Sequence, residues 1–482
     1  MSFSSFEPAN MLAILPEMAL VLLAALVMTM DVAKISNRRN LGLTTAIGFF
    51  AIMVVTLLFS QPASAGELIW GGMIRNDLAA FIFRLIFMFA GAITALLCLD
   101  VEEIGQRGDF YAILIGAVIG MNFMAFSADV IMLFLAMETM SVAAYVMAGF
   151  VLTDKKSAEA GLKYLLFGAT ASAVMLFGFT LLFGFTGETN IYVIAEVLSA
   201  GGVPVIVVLT AAVLVIVGVG FKIAAVPFHF WAPDVYEGAP TPVTAFVSTA
   251  SKTAGFAILA RIFLAGLSAV DDWLPMLIAM AAVTMTLGNI VALAQRNIKR
   301  LLAYSSIAHA GYALVGFVAL SELGTASMIF YLMAYVVTNL AAFGVVILFA
   351  RASGSNEIAD YAGLSRRSPY LALAMLVAFL SLAGMPPFGG FFAKLFVFAA
   401  AIEAGLIWLV VVGALNVIIG LYYYLIVLKV VYVTPKPEGA GPIEVPRAYG
   451  FALGVLSVGI LVLGTVAGPW FDWALAAAEG IF

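Results

Sequence analysis

Long apolar segments separated by short polar stretches run through this whole chain. Fourteen of them approach or exceed about 20 residues, the length that an α-helix needs to cross the ~30 Å hydrocarbon core of a membrane. We call them spans one to fourteen, and the pattern predicts an all-α polytopic membrane protein with about fourteen transmembrane helices. Their bounds are 11–31, 41–60, 77–99, 109–127, 129–152, 158–185, 203–232, 241–266, 273–293, 301–320, 325–350, 370–404, 406–428 and 448–470.

The composition supports a membrane protein. Of 482 residues, 64% are hydrophobic and 10% are charged, whereas a soluble domain has about 25% charged residues. The single cysteine, Cys98, excludes an internal disulfide, and two histidines, His229 and His309, are too few for a haem or a histidine-rich metal site. The first residues lack the basic region and cleavage site of a signal peptide, so we expect span one to be retained.

The basic residues fall on one side of the predicted membrane. Of the 22 lysines and arginines, only Arg75 follows an even-numbered span and six fall within spans. By the positive-inside rule, the loops after odd-numbered spans form a cytoplasmic basic face, and both termini are expected on the opposite, periplasmic face. The fifteen residues of the basic face are Lys34, Arg38, Arg39, Arg107, Lys155, Lys156, Arg296, Lys299, Arg300, Arg351, Arg366, Arg367, Lys429, Lys436 and Arg447.

Spans four to eight resemble spans nine to thirteen. Most matches share an offset of 167 residues, and Pro227-Phe228 matches Pro387-Phe388 at an offset of 160. A unit of five spans starts and ends on opposite faces, so the two copies run in opposite senses, as in transporters built from inverted repeats. We therefore divide the chain into 1–106 (three N-terminal spans), 107–268 and 269–433 (the two repeats), and 434–482 (span fourteen). Matches at 167 include Asn122 with Asn289, Ala125 with Ala292, Leu135 with Leu302, Tyr145 with Tyr312, and Tyr164 with Tyr331.

Spans seven and twelve contain prolines that a straight helix does not accommodate. Span seven would reach ~45 Å as a single helix, and it contains Pro227. Span twelve contains Pro386 and Pro387, followed by two glycines. Proline removes a backbone hydrogen bond and clashes with the preceding turn, so we expect both helices to be interrupted. The freed backbone groups predict a polar, hydrated pocket at each break.

Several ionisable residues lie deep inside the spans. A charge at a helix centre costs roughly 2.5–3.5 kcal/mol on insertion scales, so these residues are candidates for carrying protons. Desolvation favours the neutral form of a lysine and a nearby carboxylate favours its charged form, so a change at Glu138 could switch Lys222 between holding and releasing a proton. The candidates are Glu138, Lys222, Lys252 and Lys394, and then Lys163, His229 and His309.

Each candidate also has a structural interpretation. Glu138 could be a protonated or paired structural carboxylate, and Lys222 could extend to the membrane interface. Lys163 could form an ion pair with a glutamate one helical turn earlier, and the histidines could be hydrogen-bonded core residues. Two further arginines inside the spans, Arg84 and Arg261, carry a permanent charge that suits anchoring or ion pairing better than proton transfer.

Four segments carry a family resemblance. The run FKIAAVPFHFWAPDVYEGAPTPVTAFVSTASKTAGF at 221–256, with FLAMETMSVAAYVMAGF, RNIKRLLAYSSIAHAGY and SLAGMPPFGGFFAKLFVF, is similar to the antiporter-like membrane subunits of respiratory complex I. The resemblance covers spans four to thirteen. It implies two inverted five-helix units with interrupted helices seven and twelve. It also implies proton translocation in a bacterial inner-membrane NADH–quinone oxidoreductase, driven by quinone reduction elsewhere in the complex.

The resemblance further implies site residues, partners and cofactors. The family's glutamate of helix five and its lysines of helices seven, eight and twelve fall on Glu138, Lys222, Lys252 and Lys394, and Lys163 and His229 also match. The longest loops, 351–369 and 429–447, are too short for a redox domain. Flavin, iron–sulfur clusters and the NADH site are therefore expected in partner subunits, with the quinone at a distant site. The expected partners are other membrane subunits of a large hetero-oligomeric complex, the lipid bilayer and protons, with no nucleic acid and no cofactor on this chain.

Two features depart from the sister subunits of the family. The repeat copy of Glu138 is Ser305, so only one unit carries the carboxylate. One sister has a glutamate at the helix-twelve position, where this chain has Lys394. The largest sister ends in a long amphipathic helix, whereas this sequence stops at Phe482, so we do not expect that sister.

Other functions compete with this one. A subunit of a multi-subunit sodium/proton antiporter or of a membrane-bound hydrogenase shares the fold, and flavin and iron–sulfur partners would discriminate between them. A structural subunit that pumps nothing would leave proton pumping unchanged after Lys222→Ala. A membrane enzyme with its own site is disfavoured, because the sequence has no nucleophile elbow, metal-spaced His/Glu cluster or aspartate-rich diphosphate motif.

Overall fold

The computed structural model describes residues 8–34, 37–62 and 66–481, and helices dominate these ranges. Two short strands, Glu67–Ile69 and Ile74–Asn76, pair antiparallel. The helices are Pro8–Ala13, Leu15–Val32, Arg39–Phe59, Leu78–Cys98, Glu102–Gly105, Gly108–Phe126, Val130–Ala148, Lys155–Thr186, Ile191–Ser199, Val205–Ile223, Trp231–Gly238, Thr241–Gly266, Leu274–Ala292, Ile298–Phe317, Glu322–Ser353, Ile358–Tyr361, Leu364–Arg367, Pro369–Ala383, Gly389–Glu403, Ile407–Tyr432, Arg447–Thr465 and Ala467–Glu479.

These helices match the fourteen predicted spans. Twelve helices of the described chain are long and apolar enough to cross a membrane. The other two crossings are Ile298–Phe317, which begins with two basic residues, and the interrupted pair Pro369–Ala383 and Gly389–Glu403. The prediction of an all-α polytopic membrane fold is therefore confirmed, and so are the interruptions of spans seven and twelve.

Three local features differ from the prediction. Span fourteen ends at Thr465 instead of continuing to 470, because Pro469 has no amide to donate to the Thr465 carbonyl. A separate helix, Ala467–Glu479, then follows. The strand pair and the helix Ile191–Ser199 were not predicted, since segments this short carry little hydrophobic periodicity.

The two repeats match helix by helix. Spans six and eleven form helices of 32 residues each, and spans eight and thirteen form helices of 26 residues each. Both 32-residue helices end at a glycine with positive φ, Gly187 at 73° and Gly354 at 69°. At the two breaks, Ala225 and Met385 each donate the amide to the carbonyl five residues earlier. These pairs keep the sequence offsets of 167 and 160, whereas the exact domain bounds remain a prediction.

Buried ion pairs attach the N-terminal spans to the first repeat. Arg84 Nε lies 3.1 Å from Glu17 Oε1, and Asn122 donates to the same oxygen at 2.9 Å. On span eight, Arg261 donates to Asp77 Oδ1 at 2.6 Å, at the start of span three. Both arginines are therefore ion-paired, as their permanent charge led us to expect.

Candidate functional site

Three of the candidate lysines lie in the interior of the bundle. Lys222, Lys252 and Lys394 are 3%, 2% and 6% exposed. Lys252 is eleven residues into the 26-residue helix Thr241–Gly266, about 17 Å from its start. Lys222 packs against Gly255 of the same helix, so it lies at a similar depth. This burial contradicts the alternative in which Lys222 extends to the membrane interface.

The first lysine is held by one face of span five. Lys222 Nζ donates to Ser141 Oγ and lies 5.7 Å from the centroid of the Tyr145 ring. Glu138 is one turn before Ser141 on the same helix, and its carboxylate acts electrostatically on Lys222. Glu138 Oε1 is buried without a hydrogen-bond partner. The helix is fixed at its start by Asp129, whose side chain accepts from two backbone amides of the first turn.

The second lysine joins the two repeats. Lys252, on span eight, donates to the Ser306 carbonyl at 2.7 Å and to Ser306 Oγ at 2.5 Å, on span ten. The Tyr236 hydroxyl lies 3.3 Å from the same Ser306 Oγ. Lys252 is therefore bound across the interface between the first and second units.

His309 continues the polar groups into the second unit. Its Nδ1 lies 2.6 Å from the Tyr331 hydroxyl, and its Nε2 lies 3.4 Å from the Tyr424 hydroxyl. Tyr424 is also hydrogen-bonded to Ser305. Both Lys252 and Lys394 act electrostatically on the imidazole, so His309 lies between the second and third lysines.

The third lysine takes the place of the first in the other repeat. Lys394 Nζ donates to the Leu382 carbonyl at 2.7 Å and lies 5.0 Å from the centroid of the Tyr312 ring. Tyr312 is the repeat copy of Tyr145, and Leu382 is 160 residues after Lys222. Each unit therefore holds a lysine beside the same tyrosine. It comes from before the break in span seven and from after the break in span twelve.

The surroundings of the two breaks differ. At span twelve a cavity of about 10 Å³, room for roughly one water, is lined by His309, Thr338, Ser381 and other residues. At span seven the neighbouring cavity of 500 Å³ is apolar apart from Thr170, so the prediction of a polar pocket there is wrong. The freed groups find partners inside the protein instead: Val226 N–H donates to the Thr284 hydroxyl at 3.0 Å, one example of this.

A cavity of about 750 Å³ opens on the basic face, at the junction of the two units. At its wall, Lys299 is 3% exposed and donates to the Glu237 and Ala239 carbonyls at 2.8 and 2.7 Å. The sequence placed Lys299 in a loop, but it lies in the first turn of Ile298–Phe317. The carboxylates that line the cavity belong to Asp100, Glu102, Glu103, Asp154 and Glu237.

Lys163 and His229 lie apart from the row of lysines. Lys163 forms ion pairs with Glu159 at 2.8 Å and Asp234 at 2.7 Å, the arrangement of its structural interpretation. His229 is buried beside Phe230, with ring centroids 4.4 Å apart, and its Nδ1 has no hydrogen-bond partner. Relay roles for these two residues remain predictions.

Sequence reasoning missed the neutral residues that hold the lysines. Ser141 could have been found because it is three residues after Glu138 and therefore on the same helix face. Ser306, Tyr236 and Tyr424 gave no signal, since hydroxyl side chains are common in membrane helices. Among the described residues, no group of three His, Cys, Asp or Glu side chains could hold a metal ion.

Comparison with known proteins agrees with this architecture. The family described as NADH:quinone oxidoreductase/Mrp antiporter, TM matches residues 127–420, which contain both breaks and all three buried lysines. The NADH-quinone oxidoreductase subunit N of Anaeromyxobacter sp. (strain Fw109-5) is 41% identical over 497 residues, 96% of each chain.

Two solved structures share the fold. A chain of respiratory complex I from Thermus thermophilus with bound aureothin has a TM-score of 0.80 and 31% sequence identity, over 95% of this chain and 98% of that chain. A chain of the membrane-bound sulfane sulfur reductase, an archaeal respiratory membrane complex, has a TM-score of 0.85. It is 24% identical over 98% of this chain and 97% of that one, a likeness of fold alone.

Proposed function

This chain belongs to the NADH:quinone oxidoreductase/Mrp antiporter membrane family, and from that premise we propose that it is a proton-translocating membrane subunit of a bacterial NADH–quinone oxidoreductase, of the subunit N type. Protons pass along Lys222, Lys252, His309 and Lys394. Glu138 modulates the charge of Lys222. Reduction of quinone elsewhere in the complex drives the transfer.

One observation carries this proposal: the three buried lysines are held by neutral acceptors. Lys222 donates to a serine hydroxyl, Lys252 to a serine and a carbonyl, and Lys394 to a carbonyl. The other buried cations within the spans, Arg84 and Arg261, are paired with carboxylates. A carboxylate partner fixes a cation in its charged form, whereas an amine held by neutral acceptors can release its proton without leaving a buried anion unpaired.

The cavity on the basic face supplies an entrance. Its carboxylates attract cations, and Lys299 lies at its wall, bonded to the carbonyls of Glu237 and Ala239. Tyr236 precedes Glu237, and its hydroxyl contacts Ser306, the partner of Lys252. Polar groups therefore lead from the cavity to Lys252, the lysine at the junction of the units.

The redox chemistry belongs to other subunits of the complex. The polar connections after spans eleven and thirteen hold only short helices or none, Ile358–Tyr361 and Leu364–Arg367 in the first. This chain acts as a subunit of an NADH:quinone oxidoreductase, and NADH, flavin and iron–sulfur clusters bind to its partners. Its partners include the other membrane subunits, in the bacterial inner membrane, with the basic face toward the cytoplasm.

A sodium/proton antiporter subunit is the second candidate, because the family description includes Mrp antiporters. Sodium is held by several oxygen ligands. Lysine and histidine line the row described above, and a permanent or transient ammonium repels a cation. The row therefore favours protons over sodium.

The test uses the purified complex that contains this chain, reconstituted in vesicles. NADH oxidation in sodium-free potassium buffer should acidify one side of the membrane, and a protonophore should abolish the gradient. The complex should contain flavin and iron–sulfur clusters. Transport that requires sodium, or a purified complex without a flavin subunit, would contradict the proposal and support the antiporter.

A further inference from the structure

An apolar groove of about 480 Å³ lies on the outside of the bundle, away from the lysines. Its walls come from spans two, three, eleven and fourteen, and the last helix, Ala467–Glu479, contributes Trp470 and Trp473. Every lining residue is apolar. A groove of this volume falls within the range of about 300–1,000 Å³ that is typical of ligand sites.

The groove reaches about halfway through the membrane. Span three begins on the opposite face at Leu78, and its lining residues extend from Ile82 to Phe89. Span fourteen ends on that face at Thr465, and its lining residues extend back to Val455. At 1.5 Å per residue these positions reach about 15–17 Å from the helix ends, close to half of the ~30 Å core. The groove therefore spans one leaflet.

Two tryptophans mark the end of the groove at the membrane surface. Trp470 is 36% exposed, and Trp473 contacts the edge of Phe81 with ring centroids 6.2 Å apart. The helix that carries them is anchored by Phe471, whose ring lies 4.2 Å from that of Phe396. Tryptophan prefers the boundary between hydrocarbon and headgroups, which agrees with the depth of the groove.

We propose that this groove binds one acyl chain of a phospholipid from the leaflet at the opposite face, with the glycerol at the level of Trp470. An α-helix is too large, since a 15 Å length about 10 Å across occupies more than about 1,000 Å³. Water does not fill a cavity lined only by apolar groups. Below the tryptophans the walls offer no hydrogen-bonding side chain for a polar ligand, whereas a flexible hydrocarbon chain matches them in length and chemistry.

The test is photolabelling of the whole purified complex with phosphatidylethanolamine that carries a diazirine on one acyl chain. The label should concentrate on peptides of spans three and fourteen that line the groove. Val455→Trp, which fills the groove, should reduce this labelling at least about fivefold. Val458→Trp is the matched control, because Val458 is on the same helix but 58% exposed to the outside, and it should leave the labelling unchanged.

Three results would overturn the proposal. Even labelling of all lipid-facing helices of the wild-type complex would indicate bulk lipid only, and this readout stands whether or not the variants assemble. Equal labelling of the two variants would show that the groove is not the site. Displacement of the label by long-chain quinone, but not by unlabelled phosphatidylethanolamine, would assign the groove to quinone instead.

Discussion

At the scale of single residues, the partner of a buried cation decides what that cation can do. Arg84 and Arg261 are paired with carboxylates and hold helices together. Lys252 lies equally deep, but its partners are the carbonyl and hydroxyl of Ser306. The apolar context of these residues was visible in the sequence, and it predicted their burial. Their partners come from helices more than 50 residues away, and no local pattern identifies such contacts.

Ser306→Ala should slow proton pumping. The substitution removes the hydroxyl acceptor of Lys252 and leaves only the carbonyl at 2.7 Å. A hydrogen bond to a charged group contributes about 1.5–3 kcal/mol, so we expect at least about a tenfold lower pumping rate. Ser327→Ala is the control, because Ser327 is also buried but donates only to the Leu323 carbonyl of its own helix. Equal pumping by the two variants, measured as NADH-driven acidification of vesicles, would remove Ser306 from the pathway.

At the scale of helices, the breaks place the lysines. Gly384, with φ of 84°, ends the first half of span twelve and packs against the side chain of Lys394. Proline and glycine made both breaks predictable from the sequence. The sequence did not show that span seven would satisfy its freed amides inside the protein, because Thr284, the acceptor for Val226, lies on a different span.

Gly384→Ala should impair both stability and pumping. A side chain in the left-handed region costs about 1 kcal/mol, and the new Cβ would lie 2.9 Å from Lys394 Cδ. Gly405→Ala is the matched control, because Gly405 has φ of 76° but open space around it. Thermal unfolding should detect a similar loss in both variants, whereas only Gly384→Ala should lower the pumping rate. A normal rate in Gly384→Ala would show that Lys394 does not need its present position.

At the scale of the whole molecule, two five-helix units are joined by charges at the basic face and by the lysine row inside. Asp234 accepts from Lys163 of the first unit and from Arg300 of the second. The repeat was predictable from offsets of 167 and 160, and the equal helix lengths agree with it. The ion pairs between the units were not predictable, because they depend on how the units pack.

Asp234→Asn should destabilise the protein by up to about 1 kcal/mol at neutral pH, since the aspartate is 41% exposed and its ion pairs are screened. Burial alone would raise the pKa of Asp234, but hydrogen bonds and charges from Lys163 and Arg300 hold that pKa below its usual value. A lowered pKa adds stability above the unfolded value of about 3.9 and loses it as the pH falls further.

The stability difference between wild type and Asp234→Asn should therefore stay constant from about pH 8 to 5 and shrink only below about pH 4. Thermal unfolding of the purified complex across this range measures it. Asp472→Asn, at an exposed position of the last helix, controls for the loss of one carboxylate. A difference that vanishes between pH 7 and 5 would mean that the ion pairs do not hold Asp234 ionised.

The most direct test of the whole account is the number of protons moved per electron by the complex carrying Lys252→Met. Lys429→Met, at an exposed lysine of the basic face, is the control for removing one positive charge. We predict that Lys252→Met lowers the ratio of protons to electrons while the complex stays assembled, and that Lys429→Met leaves the ratio at the wild-type value. An assembled Lys252→Met complex with the wild-type ratio would contradict proton transfer through this row of lysines.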